Sequence, residues 1–370
     1  MKILIKVIFI ILIFASFIIL SDKIAINIIY KNSSPRHWVL KSIFQPDDQL
    51  IYSLKKNSRG KWGTEEFTEI SVINNQGFRD IDIISAMTDK SKKNIFMIGD
   101  SNVFGHGISE NAKTLPKMIE KNWNSNNQTK INVFNMGVSG YSPDQEYRLI
   151  NNRIIQWHPN AIIWMLHMPN DLYNELFDRK WPIPSLYNYN DKKDELIPLD
   201  AMLNWLYAKV ILSQKIPYLA DSLLFNKIFY YLSGIPFFSR KSPDIKVSLN
   251  AWGKLKMIKE INEIADLSEK KGFKLYIVFF PYKEYIEAKT PKKVIEAWEE
   301  IKNFAVDRKI DSLDLTEFIR NLNLVEKSEK TDKKLNSYND LYFKTDPHLN
   351  EQGTEFVGGI IASQLSLIQK

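Results

Sequence analysis

Ser101 is placed where a hydroxyl can do chemistry. It stands in IFMIGDSNVFGHG, Ile95 to Gly107, where Ile95, Phe96, Met97 and Ile98 read as a buried strand that Gly99-Asp100-Ser101-Asn102 cannot comfortably continue. A serine at a strand exit is addressed for nucleophilic attack, but an unassisted serine is a poor nucleophile. It needs a base within hydrogen-bond reach and a partner that holds the base. The chain offers five histidines. His37, His158 and His106 read as surface or structural residues, His106 because it belongs to the serine's own loop. His167 lies at a strand end but has no carboxylate at a suitable spacing. In KTDPHLNEQG, Asp346 and His348 are two residues apart, and in an extended segment both side chains leave one face. Asp346 can then bind one imidazole nitrogen and leave the other for Ser101.

Acyl transfer also needs hydrogen-bond donors fixed before negative charge appears, each stabilising a tetrahedral intermediate by about 3 kcal/mol. Gly140, in NMGVSGYS, has no side chain to block its backbone N–H, and Asn170, in MPND, carries an amide donor. The N–H of Ser101 is the third. No Gly-Lys-Ser/Thr follows the Gly99 to Gly107 loop, as a phosphate cradle would require.

These residues sit at the ends of apolar runs. Ile95 to Ile98 delivers Ser101, Ile131 to Phe134 runs into the glycine loop, and AIIWMLHMPND ends in Asn170-Asp171. Helices are expected over Leu115–Trp123, Asp144–Trp157, about Leu249–Lys271, near Lys293–Arg308 and over Asn350–Leu367, with further strands at KLYIVFFP and SLDL. Strand and helix alternate, which argues a parallel sheet covered on both faces, with the ligand crevice beyond the carboxyl ends of the strands. From Leu172 to Asn250 the alternation stops. That length is unusual for a connection in a compact domain, and its later part, dense in Leu, Ile, Phe and Tyr, reads as amphipathic helices.

At 370 residues, 44% hydrophobic and 25% charged, the chain can bury a large core. It has no cysteine, so disulfides, thiolate metal sites and cysteine nucleophiles are excluded. The net charge of +7 is spread along the chain without an arginine-rich arm, which speaks against a nucleic-acid partner and for an anionic lipid or glycan. Lys2 and Lys6 precede an unbroken apolar run from Val7 to Leu20, so residues 1–22 read as a signal sequence or membrane anchor. With the lysines inside, the rest of the chain faces the extracytoplasmic side. Residues 23–90 read as a membrane-proximal lead-in, and 91–370 as the main domain carrying a helical insertion at about 172–250.

GDS at Ser101, the glycine loop at Gly140, ND at Asn170 and the late Asp346/His348 pair occur in the order and rough spacing of the SGNH/GDSL hydrolases. The chain resembles that family from about Ile95 to Leu367, its name-giving residues falling on Ser101, Gly140, Asn170 and His348. NQGFRD and GYSPDQE look like segments of its membrane-tethered bacterial members. The resemblance implies a flavodoxin-like three-layer α/β/α sandwich and a serine esterase or acyltransferase mechanism, with no metal and no cofactor. Ser101 would be nucleophile, His348 base, Asp346 its orienting carboxylate, and Ser101, Gly140 and Asn170 the oxyanion hole. The chain departs from the family at Met168, where Gly is usual, and in reading Asp-x-His rather than Asp-x-x-His. The latter spacing is similar to that of the alginate-acetylation type and points to O-acetyl groups of an envelope or exported polysaccharide. The alternatives are an O-acyltransferase on glycan, a lipid-directed esterase, and a non-catalytic envelope protein of the same fold.

Overall fold

In the computed structural model the described residues are 43–47, 49–168, 171–172, 187–190, 195–198, 253–287, 290, 292–322 and 337–365, with Lys6, Phe9, Ile13, Ser16, Phe17 and Leu20. The apolar runs form β1 (Lys93–Ile98), β2 (Ile131–Asn135), β3 (Ala161–Met168), β4 (Lys274–Pro281) and β5 (Asp311–Asp314). All pair in parallel in one five-stranded sheet, in the order β5-β4-β3-β1-β2. That is the flavodoxin-like order. Its topological switch point lies between β1 and β3, whose following connections leave in opposite directions and open a crevice.

Both faces of the sheet are buried, which is why the strands read as continuous apolar runs. On one face Ile95, Met97, Val133, Ile163 and Val278 pack with Ile119 and Trp123 of α2 (Leu115–Asn126) and with Val357 and Ile361 of α6 (Glu351–Gln364). The opposite face meets α3 (Pro143–Asn152), α4 (Gly253–Lys271) and α5 (Lys292–Asp307). There Trp164 Nε1 donates to Glu146 Oε2 at 2.7 Å and the Phe279 and Trp298 rings meet edge to face at 5.6 Å. The expected helix over Asp144–Trp157 is shorter: α3 ends at Asn152, a 3-10 turn follows over Ile154–Trp157, and His158 stops it at φ 49°.

Residues 43–47 and 49–90 belong to the same compact unit as the sandwich, although the sequence reads 23–90 as a lead-in. Two antiparallel hairpins, Phe44–Asp47 with Ile51–Leu54 and Arg59–Gly63 with Thr68–Val72, precede the sheet. Arg79 and Asp80 of the NQGFRD segment are buried. The expected anchor at 1–22 lies, apart from the six positions, outside the described residues; among the described residues no helix is long and apolar enough to cross a membrane. In the insertion, described residues form one antiparallel hairpin, Tyr187–Asn190 with Glu195–Pro198, and the expected helices lie outside them. That hairpin falls in a second unit, formed by residues 1–38 and 179–247.

Candidate active site

The turn that carries Ser101 is set by close packing. β1 ends at Ile98, and a Cβ on Gly99 would stand 2.5 Å from Val103 Cγ2 and 3.2 Å from the Met165 carbonyl, so only glycine fits between the strand and the next turn. Asp100 then caps the single helical turn α1 (Ser101–Phe104), its Oδ1 accepting the Asn102 N–H at 3.1 Å. Ser101 is the first residue of α1, where backbone N–H groups have no intrahelical acceptor and point outward. Gly105 ends the turn at φ 91°.

His348 arrives from the other end of the chain. Tyr342 and Leu349 form an antiparallel bridge, Phe343 N–H donates to the His348 carbonyl at 3.1 Å, and Asn350 N–H donates to the Leu341 carbonyl at 2.9 Å. Asn350 also caps α6 and donates its amide to the carbonyls of Asp340 and Tyr342, at 2.8 and 2.9 Å. The loop between these bonds presents Asp346 and His348. His348 Nε2 lies 2.7 Å from Ser101 Oγ, and His348 Nδ1 lies 2.5 Å from Asp346 Oδ1, which also accepts the His348 backbone N–H at 3.0 Å. Burial would raise the Asp346 pKa, but the two imidazoles that face it, His106 and His348, outweigh it and hold the carboxyl far below the usual range.

The glycine loop after β2 is pressed against α1. A Cβ on Gly137 would stand 2.2 Å from Phe104 N, while Met136 N–H and Val138 N–H donate to the carbonyls of Met97 and Gly99 at 2.9 and 3.2 Å. Gly140 has φ 81° and closes the loop beside Tyr52, whose hydroxyl donates to the Ser139 carbonyl at 2.9 Å. Tyr141 returns a bond to the Tyr52 carbonyl at 2.6 Å. The hairpin of residues 44–54 therefore braces the loop that carries Gly140.

A Ser-His-Asp chain thus stands at the switch point of a flavodoxin-like sheet. Solved lipases and esterases are similar to it. A lipase/acylhydrolase from Enterococcus faecalis is 12% identical, covering 74% of this chain and 95% of its own, with a TM-score of 0.40. The acetyl xylan esterase AlAXEase is 13% identical over 73% of this chain and 98% of its own, with a TM-score of 0.39. A lipolytic protein of the G-D-S-L family from Veillonella parvula is 12% identical over 75% and 98%, with a TM-score of 0.37. No family model and no curated protein matches the sequence.

Of the residues expected from sequence, Ser101, His348 and Asp346 come together, and Gly140 lies on the adjoining loop. Asn170 lies outside the described residues. His106, Asp346 and His348 also have ligand atoms within 4.8 Å of one another, close enough to invite a cation. The 2.5 Å between His348 Nδ1 and Asp346 Oδ1 is a hydrogen-bond separation, tighter than two ligands on one ion keep. His167 does have a carboxylate, contrary to the sequence reading: Nδ1 is 3.3 Å from Asp100 Oδ2. The partner comes from the neighbouring strand end, so no local spacing could reveal it. That ring is buried, and its Nε2 has no partner among the described residues.

Glu69, Arg79, Asn102 and His106 were not legible as site residues. Arg79, with no exposed surface, donates Nε to Asn111 Oδ1 at 3.1 Å, Nη1 to the Phe104 and Gly105 carbonyls at 3.3 and 2.5 Å, and Nη2 to the Ile70 and Ile108 carbonyls at 3.2 and 2.7 Å. It clamps the loop that follows Ser101. Burial lowers its pKa, while Glu69 pulls it back up. The one sequence signal for His106 was its place in FGHG, a histidine between glycines next to the serine.

Proposed function

We propose that the chain is an SGNH-type serine esterase that removes small acyl groups, foremost O-acetyl groups of an envelope or exported polysaccharide. The observation that carries the chemistry is the continuous bond chain from Ser101 Oγ through His348 to Asp346. Ser101 Oγ attacks the acyl carbon while His348 Nε2 takes its proton. Asp346 holds the imidazole in the tautomer that leaves Nε2 able to accept, and stabilises the imidazolium that forms. The oxyanion is received by the Ser101 and Gly140 N–H groups with Asn170 as third donor. His348 then protonates the departing sugar oxygen as its bond to the acyl carbon breaks, and water releases the acyl group by the same steps in reverse.

The acetyl reading rests on the Asp-x-His spacing, and the envelope setting on an N-terminal anchor that keeps the domain outside the cytoplasm. The acyltransferase reading differs in one step, with a sugar hydroxyl replacing water. The test is a fluorophosphonate probe on the purified chain, with the labelled residue located by mass spectrometry. Labelling at Ser101 that disappears in Ser101→Ala, together with loss of 4-nitrophenyl acetate hydrolysis in a variant that still unfolds cooperatively, is expected. Full turnover in Ser101→Ala would remove the proposal. Comparing kcat/KM from acetyl to palmitoyl esters tests the substrate: a rise toward the long chains would replace glycan by lipid.

A further inference from the structure

His106 lies on the nucleophile's own loop, its backbone N–H donating to the Ser101 carbonyl at 2.9 Å. Its side chain is 6% exposed. Each ring nitrogen faces a carboxylate: Nε2 is 3.6 Å from Asp346 Oδ2, and Nδ1 is 3.8 Å from Glu69 Oε2. The ring is walled by Trp62, Phe67 and His348 at centroid distances of 4.4, 5.5 and 4.2 Å. A titratable side chain buried this deeply against a base calls for an account.

We propose that His106 is a positioning residue for the base, donating Nε2–H to Asp346 Oδ2 so that one carboxylate is held between two imidazoles. The inference rests on the triad reading. Asp346, His348 and Glu69 are the charged and titratable groups that face His106, with Arg79 beyond Glu69, and they decide its tautomer. A neutral imidazole has one N–H to give. Glu69 already accepts from Gly107 N–H at 2.9 Å through Oε2 and from the Ser71 hydroxyl through Oε1, and Arg79 Nη1 lies 3.9 Å from it. Asp346 Oδ2 has no other donor among the described residues. The proton therefore belongs on Nε2. Burial is the largest influence on His106 and keeps its pKa below the usual histidine range, with Asp346 opposing and His348 adding to the lowering. A neutral His106 is also what the mechanism needs, since a second imidazolium 4.2 Å from His348 would resist the first.

The requirement arises from Asp346 itself, a quarter exposed on a loop. A carboxylate torsion is soft, and a bond to Oδ1 alone does not stop the group from turning away. A donor at Oδ2 fixes it from the other side. The separation of 3.6 Å is longer than a hydrogen bond, and bonds of this kind in a free enzyme tighten in the complex with substrate.

The experiment compares His106→Leu, His106→Gln and His106→Asn in the full chain, reading kcat and KM for 4-nitrophenyl acetate across about pH 5 to pH 9, with thermal midpoints. Leu has no donor. Gln places an amide N–H near the position of Nε2, and Asn is too short to reach Asp346. The Leu and Asn variants are expected to lose about tenfold in kcat with little change in KM. Asp346 without its second donor turns more negative charge toward the base, so the acidic limb of kcat/KM moves to higher pH. Gln is expected to restore most of kcat and the original limb. Should Leu fail to fold, the Gln and Asn pair carries the comparison. Equal kcat in all three variants and the parent chain, or losses that follow thermal midpoint alone with an unmoved pH limb, would overturn the role. The triad reading fails separately, through Ser101→Ala, whatever His106 does.

Discussion

Asn102 accepts the backbone N–H of Leu349 through Oδ1 at 3.3 Å, so the residue after Ser101 is bonded to the residue after His348. Two segments 247 residues apart in sequence are thereby held in register one position away from the reacting atoms. The same side chain faces His167 Nδ1 through Nδ2 at 3.4 Å. Asn102 is 5% exposed, so water cannot readily replace it.

Asn102→Ala should therefore leave a buried N–H without its acceptor and loosen the Ser101–His348 contact. A stability loss of about 1–3 kcal/mol is expected from the unpaired donor. kcat should fall about tenfold with KM nearly unchanged, because reach between nucleophile and base matters more to the transition state than to binding. Denaturant unfolding and steady-state kinetics check the two effects. An unchanged kcat would mean that the remaining loop bonds suffice to place His348.

Gly140→Ala tests the glycine loop. At φ 81° an alanine is strained by about 1 kcal/mol, and its Cβ would stand 3.0 Å from Tyr52 Oη. The peptide must turn to relieve this, carrying the proposed oxyanion donor with it. kcat should drop by roughly ten- to a hundredfold at similar KM. Tyr52→Phe, which removes the bond to the Ser139 carbonyl, should show a smaller loss of the same kind. A change confined to KM in both variants would reassign the loop to ground-state binding.

The sandwich was legible because its signal is local: apolar runs bounded by glycines and helical segments between them reproduce the sheet without long-range information. Ser101, Asp346 and His348 were legible for a similar reason, since the turn Gly99-Asp100-Ser101 and the two-residue spacing of Asp346 and His348 each lie within one short segment. What stayed hidden is assembled from distant segments. Glu69 and Arg79 stand in a stretch whose hairpins are short and polar, and its lysine-rich composition hides that it closes over the nucleophile loop. His106 reads as an ordinary loop residue until Asp346, 240 positions later, is folded against it. The Asp100–His167 pair is invisible for the same reason.

Arg79→Lys is expected to be far from conservative. A lysine keeps the charge facing Glu69 but cannot reach Asn111 and the carbonyls of Phe104, Gly105, Ile70 and Ile108 at once from one ammonium. Several buried carbonyls would be left unpaired, with a loss of roughly 3 kcal/mol or more. Ser101 should react more slowly with the fluorophosphonate even where the variant is folded, because the loop after α1 is no longer clamped. Urea midpoints and labelling rates measure the two consequences. Parent-like values of both would show that the loop is held by its other bonds.

Stability should fall with acid in two stages, and the sign differs from what a raised histidine would give. The His106 pKa is lowered in the folded chain, so below about pH 6.5 the unfolded state binds the extra proton first and stability declines as pH drops. Asp346, Asp47, Asp314 and Glu351 have lowered carboxyl pKa values, so their contribution is present above their unfolded pKa values of about 4 and is lost below them. Asp80 opposes this second stage: burial raises its pKa against the pull of Lys117, so it takes up its proton more readily when folded. Urea midpoints at intervals from neutral pH to about pH 3.5 should accordingly bend once near 6 and again near 4. His106→Gln should flatten the first bend and leave the second, while Asp346→Asn should weaken the second. Curves for the parent and His106→Gln that run parallel through the upper range would show that His106 takes up its proton equally in both states, and the account of a buried neutral imidazole would fall.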